Sequence, residues 1–254
     1  MKRLAVLASI AAMLLSLVAV ARADELKVLS AGIMHFALKD VGDNFTRGTG
    51  TKLAITFSGA ERVKSMVEKD EPVDVVILPK PDIAALAKAG LIVPSSVHDI
   101  ARTALSITVR KGQPKPDIST LAAVKQALLA ARTIAYYDAA AGGADGILAE
   151  HDIGRLGIAH EVAAKTKLWE SVQEVIAEKS IDLLVGWQPA LLSKAADYEF
   201  VGPLPPQLQD PEDSTWTAGA ATKSSDLATA KAFTQMLASP ESLEVFQDKG
   251  FTPP

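Results

Sequence analysis

Residues 26–79 read LKVLSAGIMHFALKDVGDNFTRGTGTKLAITFSGAERVKSMVEKDEPVDVVILP. The pattern is strand, helix, strand, helix, strand. A first strand, Leu26–Leu29, runs into Ser30-Ala31-Gly32. A second, Leu53–Phe57, runs into Ser58-Gly59-Ala60. A third covers Val73–Leu78. Parallel strands joined by helices place successive strand-to-helix turns at one crevice, beyond the carboxyl ends of the strands. Helix N-termini carry backbone N–H groups without intrahelical partners and the positive end of the helix dipole. Two small-residue turns there predict a binding site for a small, anionic ligand.

Working outward, strands alternate with helices along nearly the whole chain, which implies mostly parallel sheets with helices on both faces. The predicted helices are Phe36–Arg47, Glu61–Lys69, Ile83–Ala89 closed by Gly90, Leu121–Ala130, one from about Ile147, Glu170–Glu178, Asp226–Leu237 and Pro240–Lys249. Further strands are expected at Ala104–Val109, Thr133–Tyr137, Ile181–Val185, Phe200–Pro203 and Thr215–Ala221. The turn Asp138 to Gly146 repeats the motif of strand, small-residue turn and helix, so a second unit of the same architecture is expected. No internal sequence repeat and no low-complexity linker is present. The expected joints are the extended segments near 103–109 and 199–203.

Lys2 and Arg3 precede an apolar run from Leu4 to Val20, and Ala21-Arg22-Ala23 follows with small residues at −3 and −1. This has the form of a secretory signal peptide cleaved after Ala23; polar Asp24-Glu25 just beyond it favours cleavage over an uncleaved membrane anchor. Cleavage leaves 231 of the 254 residues. Removing Lys2, Arg3 and Arg22 from 26 basic residues leaves 23 against 30 acidic ones, a net charge of −7. Such a surface argues against nucleic acid and anionic lipid as partners. An anion site must then act through local donors. The absence of cysteine excludes disulfides, thiolate metal sites and a lipid-accepting thiol.

Four signals occur together: the signal peptide, LKVLSAG leading into a helix, ITFSGAERVKSMVEKDEPVDVVILP, and a terminal KAFTQMLASPESLEVFQDKGF. Together they resemble the solute-binding proteins of bacterial ABC importers, with the type II periplasmic binding fold, and within these the branch that contains molybdate-binding proteins. The resemblance spans essentially the whole chain after the signal. It implies two α/β lobes joined by two crossover strands: lobe 1 from 24–103 plus 204–254, lobe 2 from 104–203. It further implies a periplasmic location, a membrane permease as partner, no cofactor and no catalysis; we expect a monomer. Molybdate binders place one hydroxyl in each of the first two turns. Here Ile33 and Gly59 stand at the aligned positions, with Ser30 and Ser58 nearby but out of register. A small organic carboxylate is therefore the expected ligand; molybdate, tungstate or sulfate is the alternative, and a secreted α/β enzyme is the rival of another class.

The expected ligand residues fall in four groups. Ser30, Ala31, Gly32 and Ile33 form the first turn, and Ser58, Gly59 and Ala60 the second. In the third turn, Ala140, Ala141, Gly142 and Gly143 suit a backbone nest for an anion. Tyr136 and Tyr137 precede it on a strand end, so one of them, taken as Tyr137, faces the cleft. Trp187 and Gln188 follow a buried strand where the floor of a cleft is expected. His35 and Arg62, each in the first turn of a helix, can reach an anion but equally suit solvent. His98, His151 and His160 lack metal-ligand spacing and are read as surface residues. Glu68, Asp70 and Glu71 are read as a solvated turn rather than a catalytic pair. There is no Gly-x-Ser-x-Gly elbow, no persuasive Ser/His/Asp set and no complete P-loop.

Overall fold

The computed structural model describes residues 25–141, 143–170, 180–194, 196–212 and 214–254. The expected signal peptide, most of the helix expected at Glu170–Glu178, and Gly142 lie outside the described residues. The first sheet holds β1 (Glu25–Ala31), β2 (Lys52–Ser58), β3 (Val75–Pro79), β4 (His98–Arg102) and β10 (Thr215–Ala220), in the order β2-β1-β3-β10-β4. The second holds β5 (Leu105–Arg110), β6 (Ile134–Tyr137), β7 (Thr166–Trp169), β8 (Leu183–Trp187) and β9 (Tyr198–Pro203), in the order β7-β6-β8-β5-β9. The α/β, mostly parallel, two-sheet architecture read from the sequence is what the chain adopts. Within each sheet one strand runs against the rest: β10 pairs antiparallel with β3 and β4, and β5 with β8 and β9.

Helices follow the strands. In the first half these are α1 (His35–Thr49), α2 (Ala60–Glu68) and α3 (Lys80–Lys88). In the second half they are α4 (Leu121–Ala130), α5 (Ala144–Arg155), α6 (Ala159–Ala163) and α7 (Gln188–Leu192). The C-terminal helices α8 (Leu227–Leu237) and α9 (Pro240–Asp248) return to the first sheet. The register of α1 follows from its apolar stripe: Ala37, Leu38, Val41 and Phe45 recur at helical spacing and are all buried. Gly50, with φ of 76°, closes this helix and donates its N–H to Thr46 O at 2.8 Å; a left-handed C-terminal position favours glycine.

Several elements differ from the sequence reading. The first two strands run two and one residues further than expected, so Ser30 and Ala31 lie inside β1 and Ser58 ends β2. The helix expected at Ile83–Ala89 starts three residues earlier, at Lys80, with Pro81 in its first turn, where a missing N–H is harmless. The strands β4 and β7 were not anticipated. Both are short edge strands (HDIAR and TKLW) with few apolar residues, and edge strands need no two-sided burial. Strand β8 extends to Trp187, and Gln188 opens a helix at once.

A carboxylate fastens the first sheet. Asp74 is buried and accepts the N–H of Lys27 at 2.9 Å, the Ser224 hydroxyl at 2.7 Å and the Ser225 N–H at 3.0 Å. It thus ties β1 to the segment after β10. Phe233 on α8 is fully buried and meets the ring of Phe45 on α1 at 4.8 Å. Between the sheets, the Gln209 amide donates to Leu105 O at 2.8 Å and Leu204 O at 3.0 Å and accepts the Leu105 N–H at 2.9 Å. One side chain therefore holds both connecting segments. Phe233→Ala, which empties a core position remote from this junction, is expected to lower unfolding free energy by about 3–5 kcal/mol, measurable by urea denaturation.

Candidate functional site

A cleft of about 650 Å³ lies between the two sheets. Its size is within the ordinary range for small-molecule sites, roughly 300–1,000 Å³. The first wall comes from the end of β1 and the turn after it (Ala31, Gly32, Ile33), the start of α1 (His35, Phe36), and the end of β2 with the start of α2 (Phe57, Ser58, Gly59, Ala60, Arg62). The facing wall comes from Tyr137, Ala141, Gly143, Ala144 and Asp145, with Trp169 and Glu170 after β7. Trp187, Ala190 and Trp216 also line it. Trp187 ends β8 and Trp216 lies on β10; their rings meet edge to face at 6.1 Å and 84°. One aromatic contact therefore links the two sheets at the cleft.

The sequence reading named half of these twenty residues as ligand residues. Ala31, Gly32, Ile33, Ser58, Gly59, Ala60, Tyr137, Ala141, Gly143 and Trp187 line the cleft. Ser30 does not: it is wholly buried in β1 and its hydroxyl donates to Ala31 O at 3.2 Å. A strand covered by helices on both faces has no outward side, so extending β1 through Ala31 carries Ser30 into the interior. Ala140 and Gln188 are not among the lining residues; the Ala140 N–H donates to Asp138 Oδ1 at 2.9 Å, and the Gln188 N–H to Ala104 O at 3.0 Å. Gly142 lies outside the described residues.

The first wall is a donor wall. Gly59, the N-cap of α2, offers no side-chain cap, and the helices α1, α5 and α7 also begin at the cleft without one. In contrast, Thr120, Asp226 and Ser239 cap α4, α8 and α9 with their side chains. The short α6, and α3, are uncapped too. The first N–H groups of α2 thus remain free to donate. The Ser58 hydroxyl has no hydrogen-bond partner among the described residues, and Arg62 is exposed at the cleft without an ion pair among them. His35 Nδ1 lies 2.8 Å from Gly32 O. A carbonyl can only accept, so Nδ1 carries hydrogen and Nε2 is left for solvent or ligand. The His35 ring lies 3.9 Å from that of Phe36 and meets Phe57 edge-on at 6.1 Å.

The opposite wall is acidic and aromatic. Tyr137 meets Trp169 edge to face at 5.2 Å. Its ring also covers Gly143, where a Cβ would fall 2.2 Å from Tyr137 Cδ1, so only glycine fits under this ring. Asp145, the second residue of α5, was missed in the sequence, where the turn was read for its glycines. The side chain is buried, and burial pushes its carboxyl up to about 6, opposed by backbone N–H groups of Asp145 itself, Trp187 and Gly146. Its Oδ2 lies against Gly186 of β8, where an added Cβ would come within 3.3 Å of it. The indole N–H groups of Trp169 and Trp216 are buried without an acceptor among the described residues. No cluster of metal-ligating side chains occurs among the described residues.

Asp145 has a consequence for stability. Its folded pKa, about 6, lies above the ordinary value of 3.8. The folded state therefore holds the proton more tightly than the unfolded chain. The resulting destabilisation is absent below about pH 4, grows as pH rises, and is complete above about pH 6. Asp145→Asn removes it. The variant is expected to be more stable than the parent by roughly 3 kcal/mol at pH 7.5, with the gain vanishing at pH 4, in urea titrations at both pH values.

With this geometry in view, comparison with known proteins gives a consistent answer. Residues 26–252 match the family described as bacterial extracellular solute-binding protein. An aconitate isomerase of a Pseudomonas species is 30% identical over 236 residues, covering 90% of this chain and 87% of that protein. Among solved structures, the substrate-binding domain of a putative molybdenum ABC transporter from Clostridium difficile superposes with a TM-score of 0.73 at 17% identity, covering 91% of this chain and 99% of the other. The periplasmic molybdate-binding protein of Azotobacter vinelandii gives 0.71 at 18% identity, over 90% and 99%. At such identities these likenesses speak to the fold. The chain belongs to the bacterial extracellular solute-binding protein family.

Proposed function

We propose that this solute-binding protein captures a small organic acid with more than one carboxylate, from the aconitate class, and hands it to the membrane permease of an ABC importer in the periplasm. The observation that carries the reading is the division of the cleft: a wall of free helix N–H groups, the Ser58 hydroxyl and Arg62 faces an aromatic wall of Tyr137, Trp169 and Trp187. The first suits carboxylates, and the second suits a flat carbon skeleton. Ile33 and Gly59, both lining the cleft, supply no hydroxyl where the resemblance expects one. A tetrahedral oxyanion of five heavy atoms also leaves most of a 650 Å³ cleft unfilled. The kinship with an aconitate isomerase points to the same ligand class. Closure of the two lobes over the ligand would then report its presence to the permease.

A thermal-shift screen of cis-aconitate, trans-aconitate and citrate against molybdate, tungstate and sulfate tests this. A true ligand at about 100 times its Kd adds roughly 2.7 kcal/mol to stability, and the carboxylates are expected to give the larger shift. A shift with molybdate alone would overturn the reading. Gly59→Val, whose backbone (φ −58°, ψ 147°) suits valine, is expected to fold normally and to lose at least about tenfold in affinity, 1.4 kcal/mol, by calorimetry.

One observation favours a second reading, isomerisation of the bound acid. Asp145, with its carboxyl at about 6, is poised for proton transfer near neutral pH, and the relative is an isomerase. Proton NMR of cis-aconitate incubated with the protein decides between the two. Pure capture predicts no interconversion beyond the buffer control; formation of trans-aconitate that is lost in Asp145→Asn establishes the enzyme.

A further inference from the structure

We propose that Asp145 binds the ligand as a neutral acid, donating its carboxyl proton to one carboxylate of the bound organic acid, so that binding takes up a proton at this residue. This rests on the organic-carboxylate reading above. Asp145 lines the cleft yet is only 7% exposed. Its hydrogen-bond partners are backbone N–H groups, its own and those of Gly146 and Trp187, all of them donors. Because it lines the cleft, a protonated Asp145 can turn its proton toward a ligand held there.

The surrounding charges leave this role to Asp145. Asp138 follows β6, Glu170 follows β7, and Lys194 follows α7; Glu150 and Asp152 lie further along α5. Arg62 and His35 stand on the opposite wall. None of these is a cause of the raised carboxyl value, which comes from burial against backbone donors. Among the described residues, the second wall thus has two carboxyl groups, Asp145 and Glu170, and no basic side chain. A carboxylate arriving beside an ionised Asp145 would be repelled. Beside the neutral acid it accepts a short hydrogen bond. Closing the cleft removes water and adds negative charge, and both push the carboxyl further toward its neutral form. Asp145 therefore selects for a ligand with a carboxylate at its second end, and discriminates against one that reaches this wall with an uncharged carbon terminus lacking an acceptor.

The sign follows. A group that is protonated in the complex and mostly ionised in the free protein makes affinity fall as pH rises above the free value of about 6. The experiment is titration calorimetry of the whole mature protein with trans-aconitate at pH 7.0, in phosphate and in Tris, whose ionisation enthalpies differ, with the ligand's own titration subtracted. Wild type is expected to take up about 0.9 proton per ligand, and Asp145→Asn close to none. Between pH 7 and 8 wild type should lose about tenfold more affinity than Asp145→Asn, which keeps a donor at this position. Equal uptake in the two proteins, or tight binding by wild type with no uptake, would overturn the role of Asp145 while leaving the carboxylate reading intact. Failure of trans-aconitate, cis-aconitate and citrate to bind from pH 5 to 8, with molybdate binding, would overturn both. If Asp145→Asn does not fold, wild-type uptake that stays constant from pH 5 to 8 overturns the proposal.

Discussion

A parallel strand pair cannot be closed by a tight turn; the chain must travel back along the sheet, and here a helix carries it. Everything at the cleft depends on that constraint. Because β1, β2 and β3 share a direction, the helices that follow them start at one edge of the first sheet. The same holds for the helices that follow β6 and β8 in the second. The exceptions are equally consequential. The chain passes between the sheets beside β5 and β10, the strands that run against their neighbours. Trp216 on β10 meets Trp187 on β8, the neighbour of β5. The reversed strands therefore bring the two ligand edges together with an aromatic contact between them, while Gln209 fixes the connecting segments behind.

Electrostatically the cleft opposes the chain that builds it. An acidic protein offers an anion no favourable long-range field, so attraction has to arise within a few ångströms of the ligand. For the proposed anion, the first wall offers neutral donors and a cation: the uncapped N-terminus of α2, the Ser58 hydroxyl and Arg62. Leaving helix ends without side-chain caps sacrifices local stability, typically about 1 kcal/mol per cap. Burying Asp145 sacrifices more. Such sacrifices gathered at a cleft are what a binding function requires, since groups already satisfied within the protein have nothing to offer a ligand.

The outline of the fold was legible because the alternation of apolar strand and amphipathic helix is a one-dimensional signal. Helix Leu121–Ala130 emerges with the limits read from sequence. The strand-end turns were legible for the same reason, and with them Gly32, Gly59 and Trp187. What failed was anything decided by neighbours distant in sequence. Ser30 looked like a clamp because the strand was ended two residues early; its pairing with Phe57 in β2 and Ile77 in β3 holds it inside. Trp169 and Trp216 carried no local mark, and they reach the cleft because an edge strand and a returning strand bring them there. Asp145 was passed over because a carboxyl at the start of a helix usually serves the helix dipole in solvent; only the packing of α5 against β8 shows it to be buried.

The unpartnered indole N–H groups bear on how the cleft closes. Those of Trp169 and Trp216 are buried with no acceptor among the described residues, and a buried donor left unsatisfied costs roughly 1–3 kcal/mol. Both residues line the cleft, Trp216 on the first sheet and Trp169 on the second. A ligand oxygen that reaches either donor as the lobes close removes that cost only in the liganded state. A differential of this kind is what a ligand needs to shift a two-state equilibrium, because tight binding that is equal in both states shifts nothing. Trp169 and Trp216 thus hold polar capacity in reserve on both sheets, which the proposed organic acid, with its several carboxylate oxygens, could use.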